Sequence, residues 1–214
     1  MAVSAAPVST SSGRRIAAWT VIAARSVLSI VLGLATTFSS GHSASFGLVA
    51  FGAFGVVTGV VLAAGAFVAL EPRSRGLAVV QGAITVIAGI TALALAHGDV
   101  VALVAVVGVW AVLAGAVELV SGLRGRGRVR SARDSIITGA LTLLLGVAFF
   151  VVPPGYSQSL GGIEKVSGTL TASVILVGLL GAWGIVTGVL QAISAVSLRS
   201  DARADATSTD GGAA

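Results

Sequence analysis

Four side chains in this sequence can do chemistry inside an apolar phase: Arg25, Gln81, Glu118 and Gln191. Each lies inside a long run of apolar residues, and Glu118 stands six residues before Arg124 at the end of its run. A charge at the centre of a bilayer costs roughly 3 kcal/mol on insertion scales, so it takes a partner or finds water. Arginine and glutamate flanked by two amides suit a relay that passes protons or ions. They suit equally a fixed ion pair that sets helix register, and this structural pairing is the stronger reading. Arg25 also has the length to snorkel to the nearer interface.

The other candidates are weaker. His42 and His97 fall at helix ends near Asp99. Histidine titrates near ~6.5, so the three residues are candidates for a response to external acid, although two exposed histidines at helix ends are ordinary. No His, Asp or Glu grouping has the spacing of a metal site, and no Gly-rich phosphate loop is present. No cysteine occurs, which excludes thiol chemistry. The expectation is therefore a chain with no catalytic residue, no cofactor and no metal, and not an enzyme. Arg124 to Arg133 alternates arginine with small residues. It reads first as a topology signal and second as an attraction for anionic lipids, at about 1 kcal/mol per residue near the surface. Nucleic-acid binding needs interleaved aromatics, and that loop has none.

The elements that must position these residues follow from composition. Of 214 residues, 56% are apolar and 10% charged, and the mean hydropathy is +1.04. Soluble domains carry roughly 25% charge. Several runs exceed the ~18 residues that read as a spanning helix, and spanning segments must satisfy their own backbone. The fold class is all-α: a polytopic membrane protein of six helices, near Ile16–Thr37, Phe46–Leu70, Gly76–Ala96, Val100–Leu123, Ser135–Val152 and Thr171–Ser197. Residues 14–199 form the membrane domain, with polar tails at 1–13 and 200–214 expected to be disordered. The first run is long for a cleaved signal and is interrupted by Arg25, so it is expected to be retained. If the amino terminus is inside, eleven arginines fall on inside segments (Arg14, Arg15, Arg73, Arg75, Arg124, Arg126, Arg128, Arg130, Arg133, Arg199, Arg203) and only Lys165 outside. Both termini are therefore expected in the cytoplasm. The excess of arginine over lysine, with abundant Ala, Gly and Val, suggests a bacterial cytoplasmic membrane.

The chain repeats. Gly52-Ala-Phe-Gly-Val-Val-Thr-Gly59, Gly108-Val-Trp-Ala-Val-Leu-Ala-Gly115 and Gly181-Ala-Trp-Gly-Ile-Val-Thr-Gly188 align. So do the segments Arg25–Gly33, Gln81–Gly89 and Thr138–Gly146, each ending in glycine. The first two units are 56 residues apart, by Gly33 to Gly89 and by Gly52 to Gly108. The third carries about sixteen extra residues at Pro153–Gly168. The units are helical hairpins at 14–71, 72–128 and 129–199, all in one orientation, which calls for a pseudo-threefold arrangement. This differs from the inverted repeats of many carriers. Gly55 and Gly59, Ala111 and Gly115, and Gly184 and Gly188 put small residues four apart, which allows close helix approach in lipid. The register places Gln81 where Arg25 sits, and Leu62 and Gln191 where Glu118 sits, so the four polar residues are expected in one layer. Trp110 and Trp183, with Phe54 as third equivalent, are expected around the axis, and Trp19 at the interface.

These features resemble the bacterial membrane proteins named for the acid-resistance protein HdeD, a family of short repeats of unknown function. The resemblance rests on the Arg25-small-x6-Gly33 start, the Gly-x-Trp second helices and the Leu198-Arg199 ending, and covers about residues 15–200. Phe54 in place of Trp, Gln81 and Thr138 in place of Arg, and the long last outside loop depart from it. It implies six spans in the inner membrane and a link to acid or stress tolerance, and supplies no catalytic residue. The expected function is thus a structural or stress-tolerance role for a non-enzymatic membrane protein. The alternative is a small channel or carrier for protons or a small solute, built on the polar layer. The expected partner is the lipid bilayer, including anionic lipids at Arg124–Arg133, with no nucleic acid, and an oligomer is possible.

Overall fold

The computed structural model describes residues 9–39, 41–70, 75–127, 132–159 and 169–210. It contains six long helices: α1 (Ser9–Phe38), α2 (Ala44–Ala69), α3 (Arg75–Ala94), α4 (Val100–Gly125), α5 (Ala132–Val151) and α6 (Ala172–Asp210). All six hold a stretch long and apolar enough to cross a membrane. Their valines and glycines are poor helix formers in water. In lipid the helix is what bonds every backbone group within its own segment.

Two helices outrun their expected bounds. α1 begins at Ser9 and α6 continues to Asp210, so residues 9–13 and 200–210 are helical where unstructured tails were expected. Nucleation is the expensive step of helix formation. A spanning helix has already made it, and no glycine or proline interrupts Ser200–Asp210. The remainder of both tails lies outside the described residues.

The helix ends have local causes. The Ser43 side chain accepts from Phe46 N at the start of α2, and Asp99 accepts from Ala102 N at 3.0 Å at the start of α4. Serine and aspartate are both preferred at this position. Past α4, Gly127 takes φ 75°, a left-handed turn that favours glycine. Pro153-Pro154 stops α5. The chain beyond it, expected as a long outside loop, forms a two-stranded antiparallel ribbon, β1 (Ser157–Ser159) against β2 (Thr169–Thr171). Inside α4, Val104–Gly108 forms a π-helical turn just before Trp110.

The helices do not associate mainly within hairpins. The most extensive contacts join α1 to α6, α2 to α3 and α4 to α5. Each hairpin's second helix thus packs on the first helix of the next, and the last packs on α1, closing a ring. The repeated small residues line these seams. A Cβ on Gly89 would stand 2.5 Å from Val56 N, one on Gly139 2.5 Å from Leu119 N, and one on Gly184 3.0 Å from Gly33 N. Gly55, Gly59, Gly115 and Gly188 meet the same facing helices, and Ala111 is fully buried beside Gly146. The Arg199 guanidinium lies over the Trp19 ring at 5.3 Å. The early part of α1 is thereby beside the late part of α6, at what is called here the proximal end of the bundle.

Candidate functional site

The bundle interior is layered. At the distal end the axis is filled by apolar side chains from α2, α4, α5 and α6, with Leu48, Phe51, Leu103, Val107, Phe149 and Leu180 fully buried. Next comes an aromatic layer of the three repeat-equivalent rings. Phe54, Trp110 and Trp183 all touch one another nearly perpendicularly: 6.5 Å between Phe54 and Trp110, 5.9 Å between Phe54 and Trp183, and 5.4 Å between Trp110 and Trp183. Edge-to-face contact is a preferred geometry for such rings. The indoles are fixed further. Trp110 Nε1 donates to Thr85 Oγ1 at 3.2 Å, and Trp183 Nε1 to Thr142 Oγ1 at 3.1 Å. Phe54 has no N–H to offer Ser29, the residue at the matching place on α1.

On the proximal side of the rings lies the polar layer. Glu118 is seven residues, about 10 Å along the helix, from the end of α4 at Gly125. Arg25 Nη2 donates to Glu118 Oε1 at 3.2 Å, and Gln81 Nε2 donates to Glu118 Oε2 at 3.1 Å. One carboxylate thereby ties α1, α3 and α4. The pair is mostly shielded, with side chains 17% and 9% exposed for Arg25 and Glu118. In such surroundings its attraction is less screened than in water.

Of the four expected members, three are joined by hydrogen bonds. Gln191 lines the same small cavity without bonding to them. Thr58, Ser29, Thr85 and Thr142 also face this cavity. Sequence reasoning did not single these hydroxyls out, although the signal was present. In the aligned first helices, the residue four places after Arg25, Gln81 and Thr138 is Ser29, Thr85 and Thr142. A second missed contact lies near the proximal end, where Ser194 Oγ donates to Asp134 Oδ2 at 2.6 Å and joins α6 to α5.

The remaining candidates do not come together. His42 is half-buried and His97 exposed, and no hydrogen bond among the described residues links either to Asp99. The Asp99 carboxylate caps α4, and its counterpart 56 residues earlier, Ser43, caps α2. Of the basic loop, Arg124, Arg126 and Arg133 are exposed, and residues 128–131 lie outside the described residues. Trp19 lies near the proximal end, under Arg199.

Comparison with known families gives one match, in two copies. A family described as a short repeat of unknown function (DUF308) matches residues 24–94 and again 80–151. The two copies start 56 residues apart, which is the spacing of the first two hairpins. No curated protein and no solved structure matches the chain.

Proposed function

The chain belongs to this short-repeat family, and on that premise we propose that it is a non-enzymatic integral membrane protein with a structural or stress-tolerance role, resembling the HdeD-type acid-resistance proteins. The observation that carries this reading is the aromatic layer. Phe54, Trp110 and Trp183 close on one another across the axis, with a fully buried apolar layer on their distal side. A path for ions along the axis would have to pass these packed rings and then find a polar lining on their distal side, and the described residues that fill the axis there are apolar. The polar layer then acts as a lock. Arg25 Nη2 and Gln81 Nε2 both donate to the Glu118 carboxylate, which fixes which helices are neighbours, a use for which buried polar groups are well attested.

The asymmetry of basic residues supports both termini inside, and the excess of arginine over lysine with abundant Ala, Gly and Val supports a bacterial cytoplasmic membrane. Arg124, Arg126 and Arg133 are then at the inner leaflet, where anionic lipid is their natural partner. Purified protein in liposomes should give no proton or solute flux above protein-free vesicles, and Glu118→Gln should alter stability alone. Cells lacking the protein should survive acid or other envelope stress less well, restored by the wild-type chain.

The second reading is a small carrier or channel. It is favoured by one observation: all four intramembrane polar residues line a single cavity. It requires flux in the same liposomes, lost in Glu118→Gln. Detecting that flux would displace the structural reading.

A further inference from the structure

Three polar atoms at one level of the bundle have no hydrogen-bond partner among the described residues: Arg25 Nε, Thr58 Oγ1 and Gln191 Oε1. Their side chains line one cavity of about 20 Å³. Thr58 and Gln191 are only 3% and 7% exposed, so bulk solvent does not satisfy them. A buried polar group left without a partner costs about 1–3 kcal/mol, and native interiors rarely contain such groups in clusters.

The cavity has a cause in the repeat. In the second and third units the second helix presents Trp110 with Glu118, and Trp183 with Gln191. The first unit presents Phe54 and Leu62 instead, and both line the cavity. The smaller ring and the missing amide or carboxylate leave space and unmatched polar atoms on the same side of the axis. Ser29, which has no indole N–H facing it, borders the same space.

We infer that this cavity is a built hydration site for one or two water molecules, bridging Arg25 Nε, Thr58 Oγ1 and Gln191 Oε1. Size and charge both select water. A water needs about 10–15 Å³ of such space and two to four polar partners, and the cavity offers both. A cation entering it meets the Arg25 guanidinium, and an anion meets the Glu118 carboxylate. The pair is neutral as a unit and favours a neutral ligand that both donates and accepts. Water accepts from Arg25 Nε, exchanges hydrogen bonds with the Thr58 hydroxyl, and serves the Gln191 amide whichever way it is turned. The aromatic layer separates this wet level from the distal apolar layer, so the interior is hydrated on one side only.

The test is radiolytic hydroxyl-radical labelling of the intact protein in lipid nanodiscs. Radicals formed from bound water oxidise the side chains beside it, and mass spectrometry reads the sites. Trp110 and Trp183 line the cavity, whereas Phe51 and Phe149 are fully buried and stand outside its lining. The expected result is oxidation of the two tryptophans several-fold above the two phenylalanines, each normalised to its rate in the unfolded chain. Phe54→Trp, which fills the space and supplies an N–H to Ser29, should bring that excess down to the phenylalanine level. Equal, low labelling at all four rings overturns the inference. So does an excess that persists in folded Phe54→Trp, because water then reaches the tryptophans by another route.

Discussion

Arg25 and Glu118, 93 positions apart in the chain, meet at 3.2 Å inside the bundle and join the first helix to the fourth. Removing one partner leaves the other charge buried, and Glu118→Ala also strands the Gln81 amide. Each single truncation should cost about 3–5 kcal/mol, whereas replacing both with apolar residues of similar volume should cost far less. Unfolding by steric trapping in bicelles, run as a double-mutant cycle, measures this. Arg25→Glu combined with Glu118→Arg should recover part of the loss seen in either reversal alone. Purely additive effects would rule the pairing out.

The seams give the sharpest contrast between glycines. A Cβ on Gly89 or Gly139 lands 2.5 Å from backbone nitrogen of the facing helix, while one on Gly178 meets nothing within 4 Å. Backbone cannot swing aside as a flexible side chain does. Gly89→Ala and Gly139→Ala should therefore destabilise by about 1–3 kcal/mol, the usual range for overpacking. Gly178→Ala should be neutral or stabilise by up to about 1 kcal/mol through helix propensity. Denaturation in mixed micelles compares the three. If all three respond alike, the seams are not where these glycines act.

The aromatic layer separates ring packing from hydrogen bonding. Trp110→Phe keeps a ring beside Phe51, whose centroid lies 4.8 Å from that of Trp110, and beside Trp183, and loses the donation to Thr85 and part of the indole's volume. Hydrogen bonds between membrane helices average about 0.6 kcal/mol, and the smaller ring adds a cavity cost, so the loss should be about 1–2 kcal/mol. Trp110→Ala removes the ring itself from a site 4% exposed, and the expected loss is about 3–5 kcal/mol. The same unfolding assay reads both. A Trp110→Phe effect as large as that of Trp110→Ala would mean that the indole N–H, not the ring, holds the layer.

Much of this arrangement was legible in the sequence, for definite reasons. Apolar run length marked the six helices, because lipid leaves the backbone no other solution. The 56-residue spacing put Gln81 where Arg25 sits and Trp110 where Phe54 sits, and the alignment of the third unit, offset by its longer loop, put Trp183 on Trp110 and Gln191 on Glu118, so that Arg25, Gln81, Glu118 and Gln191 were expected at one depth. Which helices adjoin was not legible. In lipid-facing helices both faces are apolar, so periodicity does not say which face meets protein, and the ring closed by α1 on α6 had no sequence signal of its own. The Ser194–Asp134 contact depends on that neighbourhood. The helical extension to Asp210 depends on a spanning helix already being formed.

Asp99 tests whether the distal turns sense acid or only begin a helix. Its carboxylate accepts from Ala102 N at 3.0 Å, and the same register position in the first hairpin is the capping Ser43. Neither histidine is hydrogen-bonded to it among the described residues. Asparagine caps as well as aspartate does, and it carries no titratable proton. Asp99→Asn should therefore leave stability unchanged, and Asp99→Ala should cost about 1 kcal/mol, the usual worth of an N-cap. Thermal unfolding of the two variants at neutral and at acidic pH distinguishes capping from acid sensing. Capping gives the same ranking, with Asn equal to wild type, at both values. Acid sensing requires Asp99→Asn to separate from wild type at the acidic value alone.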